Sequence, residues 1–255
     1  MLINWWSRLN LEISLKRSQK IALISVFAAL NVIFDSIALP PQLSSGVWYG
    51  LIFILEPLNG IILGPLFSFA STLIGVLIGH SILLRGDVAL YEYLFTLGVP
   101  IGAMVSGLLY QKRWRLIFMY FAILLTAYFF TPVTSTLPVW GIWNTLLSFM
   151  ILSVINILPD SIRSSLSKKK LFLPLIAFIG LEADILFRIF LFVPCQTYQI
   201  LYGFTAEVLQ AIWVAAAFIT PIQVMISVLI TTIVGPYVMR LSLLNQRQEF
   251  NINNS

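Results

Sequence analysis

The sequence predicts an all-α, polytopic transmembrane helix bundle of about six to eight spans, with both termini in the cytoplasm. Three observations carry that expectation. The chain is 59% hydrophobic with only 10% charged residues, and its mean hydropathy of +0.95 exceeds what a soluble core of this length can bury. Apolar stretches of about 17 to 24 residues recur along it, the length a bilayer's hydrocarbon core requires. Basic residues gather in segments that alternate with those stretches, as the positive-inside rule demands.

Taken in order, the apolar spans fall at 20–39, 47–63, 66–84, 93–110, 116–132, 140–158, 171–194 and 219–239. Residues 1–19 form a cytoplasmic or interfacial segment, 20–240 a single transmembrane domain and 241–255 a polar cytoplasmic tail expected to be unstructured. Trp5, Trp6, Leu9, Leu11, Ile13 and Leu15 stand among basic residues with no small-residue cleavage site after them. That pattern predicts a short helix lying on the inner leaflet, not a cleaved signal. Pro221 predicts a division of the long stretch 204–239 into two helices, because proline suits a first turn and breaks an interior.

Charge sets the orientation. With the N-terminus inside, cytoplasmic segments collect thirteen of the fifteen Lys and Arg residues, among them Lys112, Arg113, Arg115, Arg163 and Lys168 to Lys170. Arg85 falls in an outer loop and Arg188 within a span. An even number of spans keeps both basic ends inside. The net charge of +5 therefore answers an anionic membrane surface and not nucleic acid. A single cysteine, Cys195, excludes an internal disulfide, and one histidine, His80, argues against a histidine-ligated metal. No nucleotide-binding loop or dinucleotide fingerprint occurs, and no cofactor is expected.

Small residues mark two helix faces. In 59–80, Gly64-Pro65 predicts a tight turn, and Ser68, Ser71, Thr72, Gly75 and Gly79 then recur at steps of three and four along one face. Such a stripe lets a second backbone approach closely in lipid. The first span carries a shorter version in Ala22, Ser25, Ala28 and Ala29.

KIALISVFAALNVIF, followed by a proline-containing loop and GVWYGLIFILEPLNGIILGPLFSFASTLIGVLIGH, resembles the start of a substrate-binding S component of energy-coupling factor transporters. In that family a first helix with an A-x-x-x-A pair contacts a shared coupling subunit, and a Gly-Pro turn opens a glycine-rich third helix. Here the pair is Ser25 and Ala29, the turn is Gly64-Pro65, and Ser68 replaces the next glycine. The resemblance covers residues 18 to about 115. It implies a membrane-embedded binding subunit that captures a vitamin-type micronutrient at its outer side. The partners it implies are a transmembrane coupling subunit, docked through Ala22, Ser25 and Ala29, and cytoplasmic ATPases. The family has six spans where eight are read here.

Polar groups inside the membrane give a separate line of reasoning. Each costs about 2.5 to 3.5 kcal/mol near the bilayer centre, so it needs a partner or a cavity. In GLEADILFRIF, 180–190, Asp184 and Arg188 stand four apart and can pair on one face. Glu182 projects about 200° away round the helix and requires a partner of its own. Glu56, before Pro57, is read as structural. Polar and aromatic residues otherwise collect in the outer half: Trp48, Tyr49, His80, Trp140, Trp143, Asn144, Tyr198, Gln199, Tyr202, Gln210 and Trp213. Aromatic faces with a few convergent polar groups are how planar ligands are held. The expected substrate contacts are His80, Trp140, Trp143, Asn144, Glu182, Asp184, Arg188 and Gln199, with no catalytic or metal-ligating residue. The competing readings are an ion-coupled transporter acting alone and an integral membrane enzyme using Glu182, Asp184 or His80 as acid or base.

Overall fold

The computed structural model describes residues 17–39, 49–82, 89–166 and 171–253. The N-terminal tryptophans, Trp48, Arg85 and Lys168 to Lys170 lie outside them. Ten helices carry the described chain: α1 (Arg17–Ser36), α2 (Glu56–Ile82), α3 (Ala89–Thr96), α4 (Gly98–Tyr110), α5 (Trp114–Phe129), α6 (Trp143–Ile157), α7 (Asp160–Leu166), α8 (Phe172–Phe192), α9 (Thr197–Ile200) and α10 (Ala206–Asn253). Strands β1 (Ala38–Leu39) and β2 (Tyr49–Gly50) form a two-residue antiparallel ladder, and a 3-10 helix over Leu51–Ile54 leads into α2.

α2 is two helices. Gly64 sits at φ 73, ψ 175, outside helical space, with Pro65 starting the next turn. Asn59 Nδ2 donates to Thr72 Oγ1 at 3.1 Å, whereas thirteen residues of unbroken helix would separate them by about 20 Å. The chain therefore doubles back at Gly64-Pro65. Glycine is required because it alone reaches this backbone conformation without strain.

Side-chain contacts fix the direction of each leg. Residues 65–82 run parallel to α1: Ser71 donates to Ile24 O at 3.1 Å, and His80 reaches Asp35 further along both. α4 runs parallel to 56–63, since a Cβ at Gly102 would collide with Glu56 and one at Gly107 would lie 2.7 Å from Pro65 N. α8 opposes α4, with Gly180 over Ser106 and Asp184 over Gly98. α10 opposes α8, with Val224 clustered on Leu181 and Gly235 on Leu173. α5 runs parallel to α8, with Trp114 against Phe172 and Tyr120 donating to Ala183 O, and α6 returns beside it with Phe149 on Phe118. Among the described residues eight legs thus alternate in direction: 17–36, 51–63, 65–82, 89–110, 114–129, 143–157, 172–192 and 206–237. Lys112, Arg113 and Arg163 fall at the connections of one end, the basic end of the bundle.

Four helical stretches are long and apolar enough to cross a membrane: Glu56–Ile82, Tyr93–Tyr110, Val139–Ile157 and Ala206–Tyr237. In the first of these the crossing length is that of residues 65–82, because of the reversal. α8 is 21 residues long and carries Glu182, Asp184 and Arg188. Met119, Ile123, Met150, Val154, Leu229 and Ile233 stand exposed on the outside of the bundle, where an aqueous surface would carry charge. An apolar rim round an apolar core is the signature of a membrane protein.

Two sequence expectations differ from the structure. α10 continues through Pro221 instead of dividing there. Proline removes a backbone donor and orphans the carbonyl four residues earlier, which is that of Ala217. Trp143 Nε1 donates to Ala217 O at 3.3 Å and replaces the missing bond. The tail also differs, since α10 extends to Asn253; Gln246, Arg247, Gln248 and Glu249 are good helix formers.

Candidate functional site

A cavity of about 170 Å³ opens in the half of the bundle away from the basic end. Its walls come from the limb at Gly50–Phe53, the first turn of α6, the second half of α8 and the first half of α10. α6 contributes Asn144 and Thr145; α8 contributes Leu181, Asp184, Ile185 and Arg188; α10 contributes Trp213, Thr220 and Gln223. Phe95, Phe192 and Tyr202 close one side with edge-to-face ring contacts about 6 Å apart. The volume is close to that of a cavity known to hold a benzene-sized guest, which sets the scale of a ligand at one ring.

Glu182 lies behind this wall, fully buried. Its Oε1 accepts from Asn144 Nδ2 and its Oε2 from Thr145 Oγ1, both at 2.7 Å. The side chain thereby finds two partners on the facing helix, as a buried polar group must. Asn144 and Thr145 are adjacent in the first turn of α6, and both reach it.

Asp184 and Arg188 make a two-pronged ion pair, Nε to Oδ1 at 2.6 Å and an NH2 group to Oδ2 at 3.0 Å. Asp184 is buried and Arg188 half-buried. A Cβ at Gly98 would strike Asp184, so the glycine makes room for the pair. Deeper in, Glu56 is fully buried against Gly102, and neither of its oxygens has a hydrogen-bond partner among the described residues.

The remaining expected contacts are dispersed. Trp143 and Trp140 are about half exposed: Trp143 serves Ala217, and Trp140 sits edge-on to Phe218. Gln199 is exposed in the α9 turn and does not line the cavity. His80 is buried in a separate polar cluster, with Nδ1 2.7 Å from Asp35 Oδ2 and Nε2 2.8 Å from Thr96 Oγ1. Sequence reasoning passed over Thr145, Thr220 and Gln223, which no spacing signal marks and which only tertiary packing assembles.

The two small-residue faces are treated differently. Ser68, Ser71, Thr72, Gly75 and Gly79 are buried, and Cβ atoms at Gly75 and Gly79 would collide with α1 at Asn31 and near Asp35. On α1, Ala22, Ser25 and Ala29 are exposed and face away from the bundle. The Ser25 hydroxyl is folded back onto Ile21 O at 3.0 Å, leaving a smooth apolar strip. No family model, no curated protein and no solved structure matches the chain.

Proposed function

We propose that the chain is the membrane-embedded substrate-binding subunit of an ATP-driven importer of a small micronutrient, in a multi-pass arrangement in the cell membrane. The observation that carries this reading is the cavity, one ring in size, lined by Asn144 and Thr145 with Glu182 behind them, in the half away from the basic end. With the basic end in the cytoplasm, that half faces outward, where an importer takes its load. The eight alternating legs then cross the membrane with both termini inside. The exposed strip Ala22–Ser25–Ala29 supplies a face on which a coupling subunit's helix packs closely, and ATPases bound to that subunit supply the energy.

Affinity purification from native membranes is expected to recover a transmembrane coupling subunit and ATPases. Uptake by the purified chain alone in ATP-free liposomes would overturn the proposal in favour of an ion-coupled carrier. Replacing Ser25 or Ala29 by Trp is expected to abolish uptake while ligand binding by the purified chain stays unchanged.

A second reading has its own observation. Asp35, His80 and Thr96 align as carboxylate, imidazole and hydroxyl, the order in which a base activates a nucleophile. If the chain is a membrane enzyme, Thr96→Ala abolishes turnover; under the importer reading Thr96→Ala retains uptake.

A further inference from the structure

Along the cavity wall most polar side chains already have partners inside the protein. Asn144 Nδ2 donates to Glu182 Oε1 and to Thr220 Oγ1, and Thr220 Oγ1 donates to Ala216 O. Asp184 and Arg188 hold each other through two bonds. The Trp213 indole N–H has no partner among the described residues, but it is sealed inside the protein.

Gln223 is different. It lines the cavity from α10 and is half-buried. Its side chain makes no hydrogen bond to any described residue, and neither amide atom is sealed off. The residue stands near the middle of the apolar stretch Ala206–Tyr237. One turn on, Ser227 Oγ donates to Phe53 O at 2.8 Å and holds this part of α10 against the limb that supplies more of the wall. An amide at that depth has no bulk water to turn to, and leaving it without a partner is costly. The occupant of the cavity supplies the partner.

The chemistry of that occupant follows from the amide itself. A primary amide offers N–H donors beside a carbonyl acceptor. Its full complement is another amide edge, C=O and N–H side by side, joined to it by two hydrogen bonds. Neither side needs a charge. A charged ligand would have to win Asp184 or Arg188 away from the other, and breaking a buried pair is costly. Phe53, Phe95, Phe192 and Tyr202 bring aromatic rings to the wall, which favours a planar guest, and the size of the cavity admits one ring.

Resting on the reading of the chain as a ligand-capturing subunit, we propose that Gln223 is the specificity-determining residue of the cavity. The ligand it selects is an uncharged planar ring with a lactam-type edge, whose C=O and N–H pair with the Gln223 amide.

The test uses the purified full-length chain and three single-ring probes: 2-pyridone, N-methyl-2-pyridone and benzoate, titrated calorimetrically near neutral pH. 2-Pyridone carries the whole edge, and its N-methyl derivative only the carbonyl. 2-Pyridone is expected to bind about tenfold or more tighter than the N-methyl compound, and benzoate is expected not to compete. Gln223→Leu keeps most of the bulk and removes the amide. The preference between the two pyridones is then expected to collapse to within about threefold. Where that variant does not fold, Gln223→Met carries the same expectation. A preference that survives the substitution assigns it to the bulk of the methyl group and overturns the proposal. Equal binding of the two pyridones, preference for benzoate, or binding of no probe overturns it as well. No ATPase takes part, so such a failure leaves the importer reading standing on its co-purification result. A chain that prefers 2-pyridone yet drives uptake without ATP loses the importer reading and keeps the ligand class.

Discussion

Asn144 commits both amide hydrogens inside the protein, and Glu182 depends on it. Replacing Asn144 by Ala removes the partner of Glu182 Oε1 and leaves a buried acceptor unsatisfied, a loss of about 1–3 kcal/mol. A lower melting temperature in detergent, followed by tryptophan fluorescence, is the measurement. Asp184 and Arg188 behave as a unit for the same reason. Arg188→Met strands a buried carboxylate, so the double variant with Asp184→Asn is expected to melt higher than Arg188→Met alone. The spacing of 184 and 188 makes this pair readable from sequence. Glu182's partners are not readable in that way, because Asn144 and Thr145 lie 38 and 37 residues away and meet it only through packing. His80 is similar: nothing local points to Asp35, 45 residues back.

At the scale of elements, α10 shows how a proline signal is overruled. Pro221 predicts a helix end, and Trp143, 74 residues before the Ala217 carbonyl it caps, makes the helix continuous. Trp143→Phe therefore leaves Ala217 O orphaned, at a cost of about 1 kcal/mol. In a Pro221→Ala background the backbone bond returns, and the same Trp143→Phe change is expected to cost almost nothing; a double-mutant cycle of melting temperatures checks it. The Gly64-Pro65 turn is legible because both residues punctuate helices by local chemistry alone. The spans expected at 93–110 and 171–194 lie close to the helices found, since length and hydropathy are also local properties. Glycines differ in the same way. Gly107 faces the Gly64–Pro65 backbone, whose atoms lie 2.7 to 2.9 Å from where an alanine methyl would stand. Gly107→Ala must push two legs apart and is expected to cost about 1–3 kcal/mol. Gly203, at φ 66 with open space around it, is expected to cost about 1 kcal/mol when replaced by Ala.

The whole molecule makes a prediction about sidedness. Cys195 is the single cysteine of the sequence and lies exposed just beyond α8. With the basic end in the cytoplasm, an impermeant maleimide added to intact cells labels Cys195, whereas Lys112→Cys in a Cys195→Ser background is labelled only after permeabilisation. The reverse result inverts the orientation. Partial burial pushes the Cys195 thiol above its usual range. The thiolate is the reacting form, so labelling is expected to accelerate as pH rises through that raised value.

One bond between distant legs has a consequence for the cavity wall. Ser227 Oγ donates to Phe53 O at 2.8 Å, closing a carbonyl of the 3-10 helix that leads into the second leg. Inside a membrane such a carbonyl has no water to turn to. α10 is thus bolted at Ser227, while the stretch nearer Ala206 carries the cavity wall. Phe53 also lines the cavity, so Ser227→Ala is expected to loosen the wall on that side.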